Sequence, residues 1–210
     1  LPHMLDMIDM LIIDLQDVGT RVYTFASTML NCLKAAARNN KKVLVLDRPN
    51  PLGGKTVEGP LLKPQLYSFV GPYSLPMRHG LTMGGMARVF NHVFELGCDV
   101  EVLSTDGWRR NMFWDKTGLR WHIPSPNMPL FETALVYPGQ VLWEGTNLSE
   151  GRGTSRPFEI FGAPYLDIDS IKRVLVPEVV AGCHLQDYSF RPTFHKWEGE
   201  LCRGFMIHIT

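Results

Sequence analysis

Two short apolar runs separated by a helical pattern constrain this chain more than any other feature. Residues 7–15 read MIDMLIIDL and residues 43–46 read VLVL. Runs this short, rich in aliphatic side chains and bounded by polar residues, are expected of strands buried on both faces of a parallel sheet. Between them, over residues 22–38, apolar side chains recur at helical spacing, and Asn39 and Asn40 supply a stop. Residues 82–95 repeat the helical pattern and residues 98–103 read as a third strand. The order strand, helix, strand, long loop, helix, strand predicts an α/β fold built on a doubly wound sheet with right-handed crossovers. The long loop opens at Arg48-Pro49-Asn50-Pro51, whose prolines forbid helix, and reaches about His79.

After Thr105 the pattern weakens. Trp108, Trp114 and Trp121 lie among polar residues, and a short helix is expected near residues 131–136. From Pro157 the rhythm changes again, with a helix expected near residues 169–176 and strands over residues 184–190 and 205–209. We read a first domain over residues 1–145 and the start of a smaller α/β domain over residues 146–210. Because the chain opens into a strand pattern and stops within another, it reads as an internal fragment.

Charge and cysteine usage narrow the classes of partner. Lys plus Arg and Asp plus Glu both total 21, so no net field draws in nucleic acid or an acidic membrane surface. No apolar run approaches the roughly 20 residues that span a bilayer, and residues 1–20 lack the pattern of a signal peptide. Cys32, Cys98, Cys183 and Cys202 form no CxxC pair, so neither zinc nor a dithiol redox motif is suggested; a Cys183–Cys202 bridge stays open. The histidines show no metal-ligand spacing, and neither a metal nor a cofactor is expected. Gly54-Lys55-Thr56 mimics the end of a phosphate loop, but Pro49 stands where its first glycine belongs and Pro60 where its helix would run. Around Ser149 the nucleophile-elbow glycine is replaced by Asn147.

In open α/β sheets ligands bind beyond the carboxyl ends of the strands, which is where the strand assignments put Asp14, Asp17 and Asp47. Acids in such places also cap the following helix or order a turn. The densest polar cluster is residues 143–154, WEGTNLSEGRGT, where glycines allow close backbone approach and Glu144, Thr146, Asn147, Glu150 and Arg152 offer the mixed donors and acceptors that sugars require. The same stretch also reads as a glycine-rich turn closed by an Arg152–Glu pair. Glycoside hydrolysis typically needs two carboxyl groups, one protonated and one acting as base or nucleophile. Glu144 and Glu150 are the nominees within this loop, and across the chain Glu144 is the first candidate and Asp14 the second. His79, at a loop-to-helix junction, reads equally as a substrate contact or as a hydrogen-bonded loop histidine.

Long motifs, in order along the chain, carry a resemblance. They include DLQDVGTRVYTF (residues 14–25), LDRPNPLGG (46–54), SFVGPY (68–73), RHGLTMG (78–84), PSPNMP (124–129), ETALVYPG (132–139) and EGTNLSEGRGTSRPFEIFGAPY (144–165). Together they resemble the bacterial exo-β-N-acetylmuramidases. The resemblance implies a Rossmann-like domain, here truncated at its N-terminus, joined to a smaller α/β domain. It also implies release of N-acetylmuramic acid from the non-reducing end of peptidoglycan-derived chains, in a secreted or periplasmic parent protein. On that footing Arg48 or Arg152 would pair with the lactyl carboxylate, while Asn50, Thr146 and Asn147 would take ring hydroxyls and the acetamido group, and Asp17, Asp47, His79 and Glu150 would be further substrate-binding residues. Where the family commonly has Thr-x-Gly-Glu this chain has Thr82-Met83-Gly84-Gly85. The missing glutamate would be either the partner in a capping box or a catalytic acid; in the second case the chain would be a catalytically silent binder of muramyl sugars.

Overall fold

The computed structural model describes residues 2–210, with only the backbone of Pro2 and Val179. The chain forms two compact units, the first ending at Pro124 and the second running Ser125–Thr210. The sequence reading places the division after Gly145; by contacts, residues 125–145 belong with the second unit.

The first unit is a parallel sheet of three strands, β1 (Met10–Ile13), β2 (Lys42–Leu46) and β3 (Val100–Leu103), in the order β1-β2-β3. In register, Ile13 pairs with Val45 and Val45 with Val102. A short helix α1 (Pro2–Leu5) precedes β1, so the apolar run 7–15 supplies one four-residue strand rather than a long one. The crossovers are α2 (Phe25–Arg38) and α3 (Met83–Val93). Both present an apolar stripe to the same face of the sheet: Met29, Leu30 and Leu33 from α2 and Met83, Met86 and Phe90 from α3 bury against Ile13, Val43 and Val45. Burying side chains of this size stabilises by about 1.5–3 kcal/mol each, which makes this layer the main source of the unit's stability. The strands were expected to be buried on both faces. Among the described residues only one face is: Met10, Ile12 and Leu103 on the second are 36, 57 and 62% exposed.

Helix α3 comes close enough to the sheet to dictate a residue. A Cβ at Gly84 would lie 2.4 Å from Val102 and 2.8 Å from the Asp47 carboxylate, so only glycine lets the helix start at that depth.

The second unit contains α4 (Phe131–Gln140), a 3-10 turn Val141–Gly145, β4 (Ile160–Ala163), α5 (Ile168–Val174), β5 (Cys183–Phe190) and β6 (Cys202–Ile209). Its sheet is antiparallel, in the order β4-β6-β5. The sequence reading missed β4, whose four residues IFGA are too short to show a period of two. Gly162 and Gly204 face each other across β4 and β6, and a Cβ at Gly204 has no room beside the Phe161 carbonyl. Cys183 pairs with Ile209 and Cys202 with Phe190, which puts the two thiols at opposite ends of the hairpin and rules out the bridge left open above. Burial pushes the Cys202 thiol up to about 11, so it behaves as a packed apolar group. No described helix is long and apolar enough to cross a membrane.

Candidate functional site

In the first unit the loops that leave β1 and β2 converge. Asp14 follows β1, Arg48 follows β2, and the guanidinium grips the carboxylate bidentately: Nε donates to Oδ1 at 2.6 Å and Nη2 to Oδ2 at 3.0 Å. These hydrogen bonds hold the Asp14 carboxyl below its ordinary value, against the opposing effect of partial burial. The pair sits at a cavity of about 340 Å³ that Phe25, Trp114 and His122 also line. It therefore offers an ionised carboxylate beside aromatic surface, at the carboxyl ends of two parallel strands.

The other candidates of this unit form the scaffold of those loops. Asp17 is buried; its Oδ2 accepts the Gly19 N–H at 2.6 Å and lies 3.2 Å from His79 Nε2, a contact too oblique for a well-aligned hydrogen bond. The Leu81 N–H donates to His79 Nδ1 at 3.1 Å, which leaves Nε2 to carry the proton on the side facing Asp17. Asn50 is buried with both ends of its amide engaged, accepting from Leu52 N–H and donating to the Leu81 carbonyl. Asp47 is the cap anticipated as an alternative. Its Oδ1 accepts the Gly84 N–H at 2.7 Å and its Oδ2 the Thr82 hydroxyl at 2.7 Å, placing a negative charge where the dipole of α3 favours it.

Thr82 is the N-cap of α3 and accepts the Gly85 N–H. Gly85 is thus the third helical residue, the position that glutamate takes in a capping box. A Cβ there would stand 3.4 Å from Thr82 Oγ1 and 3.7 Å from Leu81, ordinary contacts, so the site has room for a side chain. Gly85→Glu is expected to raise stability by about 1 kcal/mol, a few degrees in Tm, through helix propensity and the cap together. A thermal melt checks this. An unchanged Tm with increased turnover would instead assign the family glutamate to the chemistry.

In the second unit the polar loop 144–154 is tied down by a segment 40 to 50 residues further on. Glu144, at the end of the 3-10 turn, accepts from Arg152 Nε at 3.0 Å and Nη2 at 2.6 Å, both on Oε1. The Arg152 guanidinium also lies over the Phe158 ring, 5.0 Å from its centroid, and 3.4 Å from Glu150. Glu150 is fully buried, yet three basic side chains surround it: besides Arg152, His195 Nδ1 stands 3.3 Å from Oε1 and Lys196 Nζ 3.1 Å from Oε2. Lys196 Nζ also donates to the carbonyls of Trp143, Leu148 and Glu144 at 2.8–3.2 Å. Trp197 Nε1 donates to the Asn147 carbonyl at 2.6 Å, and Asn147 Oδ1 accepts from the Tyr165 hydroxyl at 2.5 Å. Thr146 closes the turn locally, donating to the Trp143 carbonyl and accepting from Leu148 N–H.

The turn reading of this loop is what the hydrogen bonds show. The loop is a turn locked by arginine and glutamate, and it presents Glu144, Thr146 and Asn147 at an exposed surface. Sequence reasoning missed His195, Lys196 and Trp197. A charge argument could have signalled them, since Glu144 and Glu150 exceed the one local cation, Arg152, and a buried carboxylate needs a partner. His195 and Trp197 hold φ of 74° and 59°, a region uncommon for such side chains, and the surrounding bonds keep them there. Among the described residues no group of acids, histidines and cysteines could hold a metal.

Comparison with known proteins adds what this geometry alone lacks. The N-terminal profile of the exo-beta-N-acetylmuramidase NamZ family matches residues 1–132 and its C-terminal profile matches residues 135–210. The peptidoglycan beta-N-acetylmuramidase NamZ of Bacillus subtilis (strain 168) is 46% identical over 209 residues, covering all of this chain and 50% of that protein. Two crystal structures of DUF1343 family proteins from Bacteroides fragilis NCTC 9343 are similar in fold. One has a TM-score of 0.89 at 35% identity and covers this whole chain and 55% of that one; the other has 0.81 at 32%, covering 97% and 54%. The chain spans about half the length of the curated relative it matches.

Proposed function

The chain belongs to the exo-beta-N-acetylmuramidase NamZ family, and from that premise we propose that its parent protein is a glycoside hydrolase that releases N-acetylmuramic acid from the non-reducing end of peptidoglycan-derived saccharides, outside the cytoplasm. The observation that carries the reading is that both family profiles match in order and together cover nearly the whole chain, including the loops that hold Asp14 and Glu144. The Rossmann-like, doubly wound arrangement belongs to the same proposal. It calls for further helices over the second face of the parallel sheet, where Ile12 and Leu103 stand exposed.

Two carboxylates fit the chemistry. Glu144 presents a carboxylate whose Oε1 is engaged by Arg152 and whose Oε2 has no hydrogen bond among the described residues, leaving one oxygen for substrate. Asp14, held ionised by Arg48, suits a base, a nucleophile or a stabiliser of the positive charge that develops on the sugar ring; it does not suit the general acid. Thr146 and Asn147 stand beside Glu144 as polar contacts for ring substituents, and the buried Asp17, Asn50, His79 and Glu150, with the half-buried Asp47, act by fixing the loops. Arg48 and Arg152 each already carry an internal carboxylate, so pairing with a lactyl carboxylate requires them to share their remaining donors.

The test is release of N-acetylmuramic acid from a β-linked muramide by the natural protein at its full length. Turnover supports the hydrolase. Tight binding of muramyl sugars without turnover, restored to turnover by Gly85→Glu, would make the protein the silent binder instead. A pH profile adds a second check. Because Arg48 lowers the Asp14 carboxyl, Arg48→Gln raises it back toward the ordinary carboxylate value, and the acid limb of kcat/KM is expected to move to higher pH. An acid limb that stays in place removes Asp14 from the mechanism.

A further inference from the structure

The second unit carries a cavity that the proposed chemistry does not use. It measures about 480 Å³ and lies between residues 153–156, the Tyr188 and Phe190 positions of β5, and residues 191–194. Its wall is fixed by close backbone approach. Gly153 has φ +81°, and a Cβ there would come within 2.6 Å of the Phe194 carbonyl, while Thr193 donates both its N–H and its hydroxyl to the Gly153 carbonyl at 2.9 Å.

Two guanidiniums line this space and, among the described residues, no acidic side chain does. Arg156 is clamped along one edge. Its Nη1 donates at 2.9 Å to Glu159, a buried carboxylate whose other oxygen takes the Thr133 hydroxyl at 2.5 Å. With 42% of the Arg156 side chain still exposed, the donors that Glu159 does not use are available to a ligand. Arg191 donates to the Gly199 carbonyl and has no carboxylate partner among the described ion pairs. Tyr188 and Phe194, 37 and 51% exposed, add aromatic surface above the buried Phe190. Elsewhere Arg48 is satisfied bidentately by Asp14 and Arg152 donates twice to one oxygen of Glu144, whereas Arg156 and Arg191 share a cavity that no described acidic side chain lines.

We infer that this cavity is a binding site for a carboxylate-bearing ligand with an apolar ring face, Arg156 and Arg191 taking the carboxylate and Tyr188 and Phe194 the ring. A guanidinium fork matches a carboxylate in shape and charge, and aromatic rings stack on the apolar face of a sugar. The inference rests on the proposed function only for the source of the ligand: the lactyl carboxylate of a muramic acid unit, or a carboxylate of the peptide attached to it.

Calorimetric titration of the natural protein with N-acetylmuramic acid, N-acetylglucosamine and N-acetylmuramyl-L-alanyl-D-glutamate, whose lactyl carboxylate is taken up in an amide, tests it, alongside Arg191→Gln and Phe194→Ser. Both side chains are exposed, so the variants are expected to melt as the parent does; Arg156 is left intact because removing it strands the buried Glu159. Losing one charge-assisted pair is expected to weaken the acidic ligand about tenfold in Arg191→Gln, and N-acetylglucosamine, which shares the ring without the carboxylate, to bind at least about tenfold more weakly than N-acetylmuramic acid. A loss confined to N-acetylmuramic acid identifies the lactyl carboxylate, and one confined to the muramyl dipeptide identifies a carboxylate of the peptide. No binding of either acid, equal binding of N-acetylglucosamine, or unchanged affinity in both variants overturns the inference. Muramic acid release is measured on the same samples. Binding that the variants lose, in a protein without turnover, refutes the proposed activity and leaves the site standing; turnover with unaltered binding does the reverse.

Discussion

Glu144→Gln and Asp14→Asn, made separately in the natural protein, are each expected to lower kcat for muramide hydrolysis by a factor on the order of 10² to 10⁴, with a much smaller change in KM. Each substitution keeps the shape of the side chain and removes its charge. The new amide still offers a carbonyl oxygen, to Arg152 in the first variant and to Arg48 in the second, so the loops stay in place while the ability to take a proton or stabilise positive charge is lost. The stability change is expected to be small, because both ion pairs are substantially exposed: the side chains of Glu144 and Asp14 are 38 and 45% accessible, and pairs of this kind contribute about 0–1 kcal/mol. A large loss of activity without a loss of stability is the signature of a group that acts on substrate. If either variant kept near-parental kcat, its carboxylate would be a partner for arginine and nothing more. For Asp14 the pH dependence has a definite sign. Its folded value lies below the unfolded one, so the stability it adds is fully present above the unfolded value and is lost as pH falls through the folded value.

What the sequence discloses and what it hides follow from the range of the forces involved. The parallel sheet and its two helices were legible because each is written locally: an apolar run for β2, a helical stripe for α2, and a threonine that caps α3 at the position expected of it. Strand lengths were less legible. The run 7–15 contains Asp9 and Asp14, and only Met10–Ile13 lies against β2. The placement of Asp14 after a strand was readable, but its grip by Arg48 was not, since 34 residues separate them and nothing in either motif announces the other. Asp17, Asp47 and Asn50 looked from their positions like binding residues, and the structure spends them on turns and helix ends. That outcome reflects a general competition: a short polar side chain next to free backbone N–H groups is satisfied locally before it is available to a ligand. In the second unit the limit is sharper. The acid-rich loop 144–154 was visible as a cluster, whereas the basic and aromatic residues that hold it, His195 to Trp197, come from a segment with no periodicity and no motif.

Glu150→Ala is expected to be the most destabilising single change in that cluster, by about 3 kcal/mol, because it empties a buried position and leaves the partly buried Arg152 and Lys196 without the counter-charge they share. The carboxylate is fully buried, with Arg152 and His195 on one oxygen and Lys196 on the other. Lys196 then retains three carbonyl acceptors, which satisfy its donors without neutralising its charge. Removing the other side of the pair, as Lys196→Met, takes from the buried carboxylate the partner of its Oε2 and frees the carbonyls of Trp143, Glu144 and Leu148, so it is expected to cost a similar amount. The two changes made together should cost clearly less than their sum, since each removes the burden the other imposes; a coupling of about 1–3 kcal/mol is in the range for contacting charges. Denaturant unfolding of the four proteins measures it. If Glu150→Ala cost under about 1 kcal/mol, water would have to reach the carboxylate freely, and the cluster could not be what holds the loop. If the effects were additive, Lys196 would act through the three carbonyls alone. In the first case the loop 144–154 would have to be fixed by Arg152 and Trp197 instead; in the second, Lys196 would still hold the backbone carbonyl of Glu144 and keep it in place.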